Sequence, residues 1–339
     1  MNKKYFKIGK KYIGYNKKTF IIAEIGINHG GKFTTCKKMI KAAARSGADS
    51  VKIQTINVDE SYMPNTLSYR QFKNKNFSNK QLLELKRYSK KLNVIFFSTP
   101  GDIKSLKKLI KIKVPAIKIS SGLATNLPLI GSAIKSKIPV IISTGLSLKQ
   151  DLSVLKKFIK KYKNKKIAIL KCTSQYPAPA ENLNLNTIDC LQKKFELPVG
   201  FSDHTIGDHA AVVAVSKGAK IIEKHFTLNK FKKGADHHIS LEPKEFKTMV
   251  NKIRLTEKML GKKTLAVDRK IKNKRKKYLR YITAKKEIKK GETFSFENIG
   301  FLRHTKIKQG LEPKFFFNLE NKKSKTRIRK NQIFRKKHL

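Results

Sequence analysis

The 339-residue sequence has no tryptophan, three cysteines, and 23 acidic side chains against 78 lysines and arginines. Cys36, Cys172 and Cys190 are an odd number at no metal-ligand spacing, which argues against a disulfide framework and a cysteine-built zinc site. Reduced, mostly buried thiols are expected, as in a cytosolic protein. No apolar run approaches the ~18 residues of a membrane helix. The opening MNKKYFKIGKKYIGYN lacks the apolar core of a signal peptide. A soluble, cytoplasmic protein with no membrane partner is therefore expected. A glycine-rich G-x-G-x-x-G loop after the first strand is also missing, which disfavours an open doubly wound sheet.

The shortage of acids leaves a formal charge of +55. Such a balance suits a polyanion-binding surface, but that surface gathers its cations on one side and interleaves aromatics. Here the lysines are dispersed over the whole chain, and Lys, Asn, Ile and Phe, all with A/T-rich codons, are abundant together. Composition bias explains this better, and no specific nucleic-acid partner is expected. A non-catalytic, basic polyanion-binding protein remains the alternative from another functional class. A field this positive still draws in anionic substrates. Hydrophobic residues make up 39% of the chain, enough for a sizeable core.

Short β-branched or aromatic runs recur at residues 20–26, 50–54, 94–98, 116–120, 140–143, 167–172, 199–202 and 220–224. Helical patterns such as TTCKKMIKAAARSG and DIKSLKKLIK lie between most of them. Eight strands alternating with helices predict a (β/α)8 TIM barrel, whose chemistry gathers where the strands end. A hairpin over 1–19 precedes it, so that the first domain spans 1–261. A basic linker without apolar periodicity follows at 262–276, then a small module at 277–339. Within that module AKKEIKKGETF (284–294) and SKTRIRKNQIF (324–334) match each other, predicting pseudo-symmetry.

The strand ends carry the reactive side chains. His204 and His225 close adjacent strands, and two imidazoles with open positions between them suit a catalytic divalent metal. Asp203 and Glu223 stand beside them as groups able to orient the rings. Lys52 and Lys118 lie within strands, where a cation needs an anion to offset desolvation. Thr99, Ser121, Ser143 and Ser202 add hydroxyl donors, so a phosphate, a carboxylate or both would satisfy the set.

The chain resembles the N-acetylneuraminate (sialic acid) synthase family through FIIAEIGINHGG, GADSVKIQT, FFSTPGD, PAIKISSG, KCTSQYPAP, VGFSDHT, IIEKHFTL and GADHHISLEP. The tail AKKEIKKGETF resembles the antifreeze-like (SAF) domain of those synthases. The resemblance implies condensation of phosphoenolpyruvate with an N-acyl amino-sugar aldehyde, giving a nonulosonic acid and phosphate by C–O cleavage. It implies Mn²⁺ or Mg²⁺ at His204 and His225. It assigns Lys52, Gln54, Thr99, Lys118, Ser121, Ser143 and Ser202 to phosphoenolpyruvate, and Glu24, Tyr176 and Asp236 to the sugar, with Glu24 also the candidate proton carrier. His237 is expected to line the sugar pocket and His238 to be a loop residue. Arg303, in GFLRHTK, matches an arginine that reaches the N-acyl group in a partner's site, which implies a domain-swapped homodimer. Sialic, legionaminic and pseudaminic acid synthases all share this pattern. GADHHISL looks closer to the first two. The chain departs from the pattern at Leu123, where relatives place an acid, and at Ser174, where relatives can carry an amide.

Overall fold

The computed structural model describes residues 5–163, 166–262, 264–303 and 310–338, in two compact units, 1–261 and 262–339. The first unit opens with an antiparallel hairpin, β1 (Tyr5–Ile8) and β2 (Lys11–Gly14). Eight parallel strands then close a barrel. They are β3 (Phe20–Gly26), β4 (Ser50–Thr55), β5 (Ile95–Pro100), β6 (Ile117–Ile119), β7 (Val140–Ser143), β8 (Ile167–Cys172), β9 (Val199–Asp203) and β10 (Ile221–His225). Their neighbours follow chain order, and β10 pairs with β3 to complete the ring. All eight expected strands sit within two residues of their sequence-derived bounds, and the hairpin is present as well.

The outer layer forms because each helix offers one apolar stripe to the sheet. α1 (Phe33–Arg45) buries Cys36, Met39, Ile40 and Ala43, a 3.6-residue spacing that aligns them on one side. After two short helices, α2 (Val58–Ser61) and α3 (Leu67–Phe72), α4 (Asn79–Lys91) starts at a reciprocal Ser78–Gln81 capping box. α5 (Ile103–Lys111) is capped by Asp102, whose carboxylate accepts from Ser105 N at 2.7 Å. The layer continues through α6 (Leu127–Lys135), α7 (Lys149–Lys160), α8 (Thr187–Phe195), α9 (His209–Ser216) and α10 (Pro243–Leu260). The hairpin sends Phe6, Ile8 and Ile13 into the same core. Gly9 lies against Ile95, the first residue of β5, and Tyr15 donates to Leu197 O just ahead of β9. The hairpin therefore covers the end where the strands begin, leaving the end where they finish for chemistry.

The segment expected as a linker, 262–276, runs into a helix. Residues 269–278 form a helix, α11 (Arg269–Tyr278), started by Asp268, whose side chain accepts from Lys270 N at 2.7 Å. Lysine, arginine and isoleucine sustain a helix without an apolar stripe, and Arg275 adds an ion pair to Glu312 at 2.7 Å. In the same unit β11 (Arg280–Ala284) pairs antiparallel with β12 (Ile299–Arg303). The two matching segments meet as a pair. Ile288 and Ile328 exchange backbone hydrogen bonds, and the Phe294 and Phe334 rings meet edge-on at 5.2 Å. Lys285 N donates to Asn298 O as Lys325 N donates to His338 O, so the internal match extends to 298 and 338. The two segments join through isolated bridges and do not form continuous strands.

Candidate active site

In a β-strand alternate residues share a face. The alternation in β3, β4, β9 and β10 sends Glu24, Lys52, Gln54, Ser202, Glu223 and His225 into the barrel mouth. They line a cavity of about 330 Å³ together with Thr99, Lys118, Ser121, Ser143, Tyr176 and His204. Of the residues expected to hold metal, phosphoenolpyruvate or sugar, all but Asp236, His237 and Arg303 meet there. Asp236 stands at the edge, its Oδ2 3.5 Å from His225 Nδ1. Arg303 belongs to the second unit, on β12, where its guanidinium lies 5.0 Å from the centre of the Tyr278 ring. The rest of its motif, from His304, lies outside the described residues.

At the floor, strand register sets the ion pairs. Glu24 is in register with Lys52, and Glu24 Oε2 lies 2.7 Å from Lys52 Nζ. Lys52 Nζ also donates to Thr99 Oγ1 at 2.9 Å. Glu223 is in register with Ser202, which donates to its Oε1 at 2.9 Å. The same carboxylate lies 3.5 Å from Lys118 Nζ and 3.7 Å from Lys52 Nζ. Lys118 in turn donates to Ser143 Oγ at 2.7 Å. Glu223 is thus central, and the sequence signal for it was plain: it sits two residues before His225, on the same face of one strand.

These four buried charges do not titrate alike. Burial raises the Glu24 carboxyl and wins over the pull of Lys52, with Glu223 adding to the rise. For Glu223 burial is overcome by Lys118 and Lys52, which hold it below the ordinary carboxylate range. Burial likewise lowers Lys118, while for Lys52 the two carboxylates reverse that effect and raise it. Two neighbouring carboxyls driven apart in this way are suited to different tasks, one to carry a proton and the other to act as a fixed charge.

Above them stand the imidazoles, their ring centres 5.4 Å apart. His204 Nδ1 is 2.8 Å from the Thr173 carbonyl, the bond of an N–H, which leaves Nε2 its lone pair, 3.1 Å from Tyr176 OH. His225 Nδ1 is buried with no hydrogen-bond partner, and burial, His204 and Lys52 keep that ring well below its ordinary value, hence neutral. Burial also lowers His204, but Cys172, with Sγ 3.8 Å away, and the Thr173 carbonyl outweigh it and raise it. Two nitrogen donors facing one cavity, one of them orphaned, fit a divalent cation that draws its remaining ligands from substrate and water. Among the described residues no group of three or more His, Cys, Asp or Glu is arranged as a closed metal site.

Further hydroxyls converge at the wall. Ser121 Oγ accepts from Gly145 N at 3.0 Å. A Cβ at Gly145 would sit 2.6 Å from Ser174 Oγ and 2.9 Å from Ser121 Oγ, so a side chain there would have to displace both hydroxyls. Cys172 and Ser174 thereby join the lining. Leu123 does not line this cavity and packs on the barrel core, half-buried. His237 departs from expectation: it is buried, its Nδ1 lies 2.7 Å from Thr227 Oγ1, and it lines a separate cavity with Asn28 and His29. His238 is an exposed residue of a short helical turn.

A sequence profile of the NeuB family matches residues 39–265. The chain is 40% identical over 304 residues to the N,N'-diacetyllegionaminic acid synthase of Campylobacter jejuni, covering 84% of this chain and 90% of that one. It is 37% identical over 331 residues to a pseudaminic acid synthase of the same species, covering 93% and 94%. The crystal structure of an N-acetylneuraminic acid (sialic acid) synthetase from Leptospira borgpetersenii superposes with a TM-score of 0.77 at 35% identity, covering 80% of this chain and 95% of that one.

Proposed function

The chain belongs to the NeuB family, and from that premise we propose that it joins phosphoenolpyruvate to an N-acyl hexosamine aldehyde, releasing phosphate and a nonulosonic acid. The acceptor is N-acetylmannosamine or a diamino-dideoxy analogue. Similarity to the Campylobacter jejuni diacetyllegionaminic acid synthase favours the analogue. The observation that carries the reading is the floor of the cavity, where two buried lysines share two buried carboxylates directly beneath paired imidazoles.

Carbon 3 of phosphoenolpyruvate is a weak nucleophile, so the acceptor must be polarised and both partners held in place. Lys52 and Lys118, with Thr99, Ser121, Ser143 and Ser202, hold the phosphate and carboxylate. His204 and His225 would hold the divalent cation, Mn²⁺ or Mg²⁺, which when bound supplies Lewis acidity toward the acceptor carbonyl oxygen. C3 attacks the aldehyde carbon, leaving positive charge at C2. The ionised Glu223 offsets that charge. Water adds to C2, and the tetrahedral intermediate expels phosphate with its bridging oxygen. Glu24, held toward its protonated form, exchanges the proton during these steps. Gln54, Tyr176 and Asp236 orient the polyol. We read the second unit as an antifreeze-like domain whose Arg303 acts across a two-fold homodimer on the acceptor's N-acyl oxygen. A planar, permanently charged fork suits that contact.

The test is incubation with phosphoenolpyruvate, Mn²⁺ and a panel of N-acyl sugars in ¹⁸O-labelled water. Sugar-dependent release of unlabelled phosphate is expected. Labelled phosphate would mean P–O cleavage, and no release with any sugar would sink the reading.

A further inference from the structure

Of the 78 lysines and arginines, three among the described residues are buried lysines: Lys52, Lys118 and Lys224. The first two reach the catalytic cavity. Lys224 is wholly buried and lies between Glu223 and His225, so strand alternation turns it to the outer wall of the barrel. There it is in register with Asp203, itself wholly buried, and Lys224 Nζ lies 3.1 Å from Asp203 Oδ2. Nζ continues to the Thr205 carbonyl, to which it donates at 2.5 Å. Asp203 Oδ1 accepts from both the amide and the hydroxyl of Thr205, each at 2.8 Å.

The residue between Asp203 and Thr205 is His204, and the residue after Lys224 is His225. The β9–β10 ladder ends at the Lys224–Asp203 pair, so His204 and Thr205 lie beyond its reach. Behind the wall Lys224 carries the connection one step further, from the segment bearing one imidazole to the segment bearing the other. A buried ion pair gives little net stability, because removing both charges from water costs about what their attraction returns. Its value here is geometric.

We infer that Lys224, with Asp203, is a positioning residue that sets the separation of His204 and His225 from behind the barrel wall. The inference rests on the proposed divalent-cation site, and it assigns to this lysine an effect on metal affinity without contact to metal or substrate. Outer partners of metal ligands commonly change affinity by about 10- to 100-fold when removed.

The experiment compares wild type, Lys224→Arg, Lys224→Met and the double variant Asp203→Asn/Lys224→Met, which removes both buried charges and so guards against unfolding of the single variant. Mn²⁺ affinity is read by titration calorimetry, phosphoenolpyruvate affinity in metal-free buffer, and folding by circular dichroism. The expected result is a Mn²⁺ Kd raised roughly tenfold or more in the folded Met-containing variants, with phosphoenolpyruvate affinity held within about twofold and partial recovery in Lys224→Arg. A folded double variant with unchanged Mn²⁺ affinity overturns the clamp, as does a parallel loss of both ligands, which would mean general loosening. Wild-type protein that binds no Mn²⁺ overturns the metal reading and the clamp with it, an outcome distinct from the other two.

Discussion

Glu24 and Glu223 are the same side chain in nearly the same depth of protein, yet their environments separate them. Glu223 meets two lysines and a serine hydroxyl, while Glu24 meets one lysine and the Gln54 amide at 3.1 Å. Glu24→Gln keeps the shape and removes the proton exchange, so turnover should fall by about 10²–10⁴-fold with little change in phosphoenolpyruvate binding. Rapid-quench phosphate release alongside equilibrium binding separates the two effects. Lys118→Met removes a charge-assisted contact to the anion, worth about 1.5–3 kcal/mol. The KM for phosphoenolpyruvate should then rise about 10- to 150-fold, as initial-rate kinetics would show. For the imidazoles, His204→Ala or His225→Ala should cost roughly 10²–10³-fold in phosphate release, the loss of one preorganised electrostatic group. Circular dichroism should stay native in both, because the barrel does not depend on them for closure. A fully active double variant would remove the metal from the reaction.

Two elements show where local pattern succeeds and where it misleads. The segment from 269 lacks apolar periodicity and reads simply as a basic linker, but a helix needs an apolar stripe only when it packs on a core. A capping aspartate and good helix formers were present in the sequence and were the stronger signal. The matched segments of the second unit behave as their repetition suggests. Gly291 and Asn331 occupy equivalent turns with left-handed backbones, φ 86° and 62°. A Cβ at Gly291 would meet nothing within 4 Å, so the cost of Gly291→Ala is backbone strain alone, about 1 kcal/mol. Asn331→Gly should be close to neutral, because asparagine already tolerates this conformation. Hydrogen exchange at the Ile288 and Ile328 amides, which pair with each other, reads both effects.

At the scale of the whole molecule, the charge and the assembly make separate predictions. Dispersed lysines should bind duplex DNA weakly, without sequence preference and with steep salt dependence. A sequence-selective nanomolar complex at physiological salt, seen by fluorescence anisotropy, would revive the polyanion-binding alternative. For the dimer, His225→Ala and Arg303→Ala chains should each be nearly inactive alone. If Arg303 acts in trans, random mixing restores about a quarter of wild-type sites, since half the dimers are mixed and each has one intact site. Mixed dimers that form but regain no phosphate release would place the arginine in cis or outside the reaction.

Most of the barrel was legible because strands buried on both faces read as near-continuous apolar runs, and the lysines within such runs betray themselves. The alternation of residues in β10 determined, before any coordinates, that Glu223 and His225 share a face and that Lys224 does not. What sequence order cannot express is who stands opposite whom. The register of β3 with β4 and of β9 with β10 depends on how eight strands stagger to close a ring, a property of the assembled sheet. Only that closure decided that Glu24 meets Lys52, that Glu223 lies between two ammonium groups, and that Lys224 ties Asp203 and Thr205 across the wall behind two imidazoles.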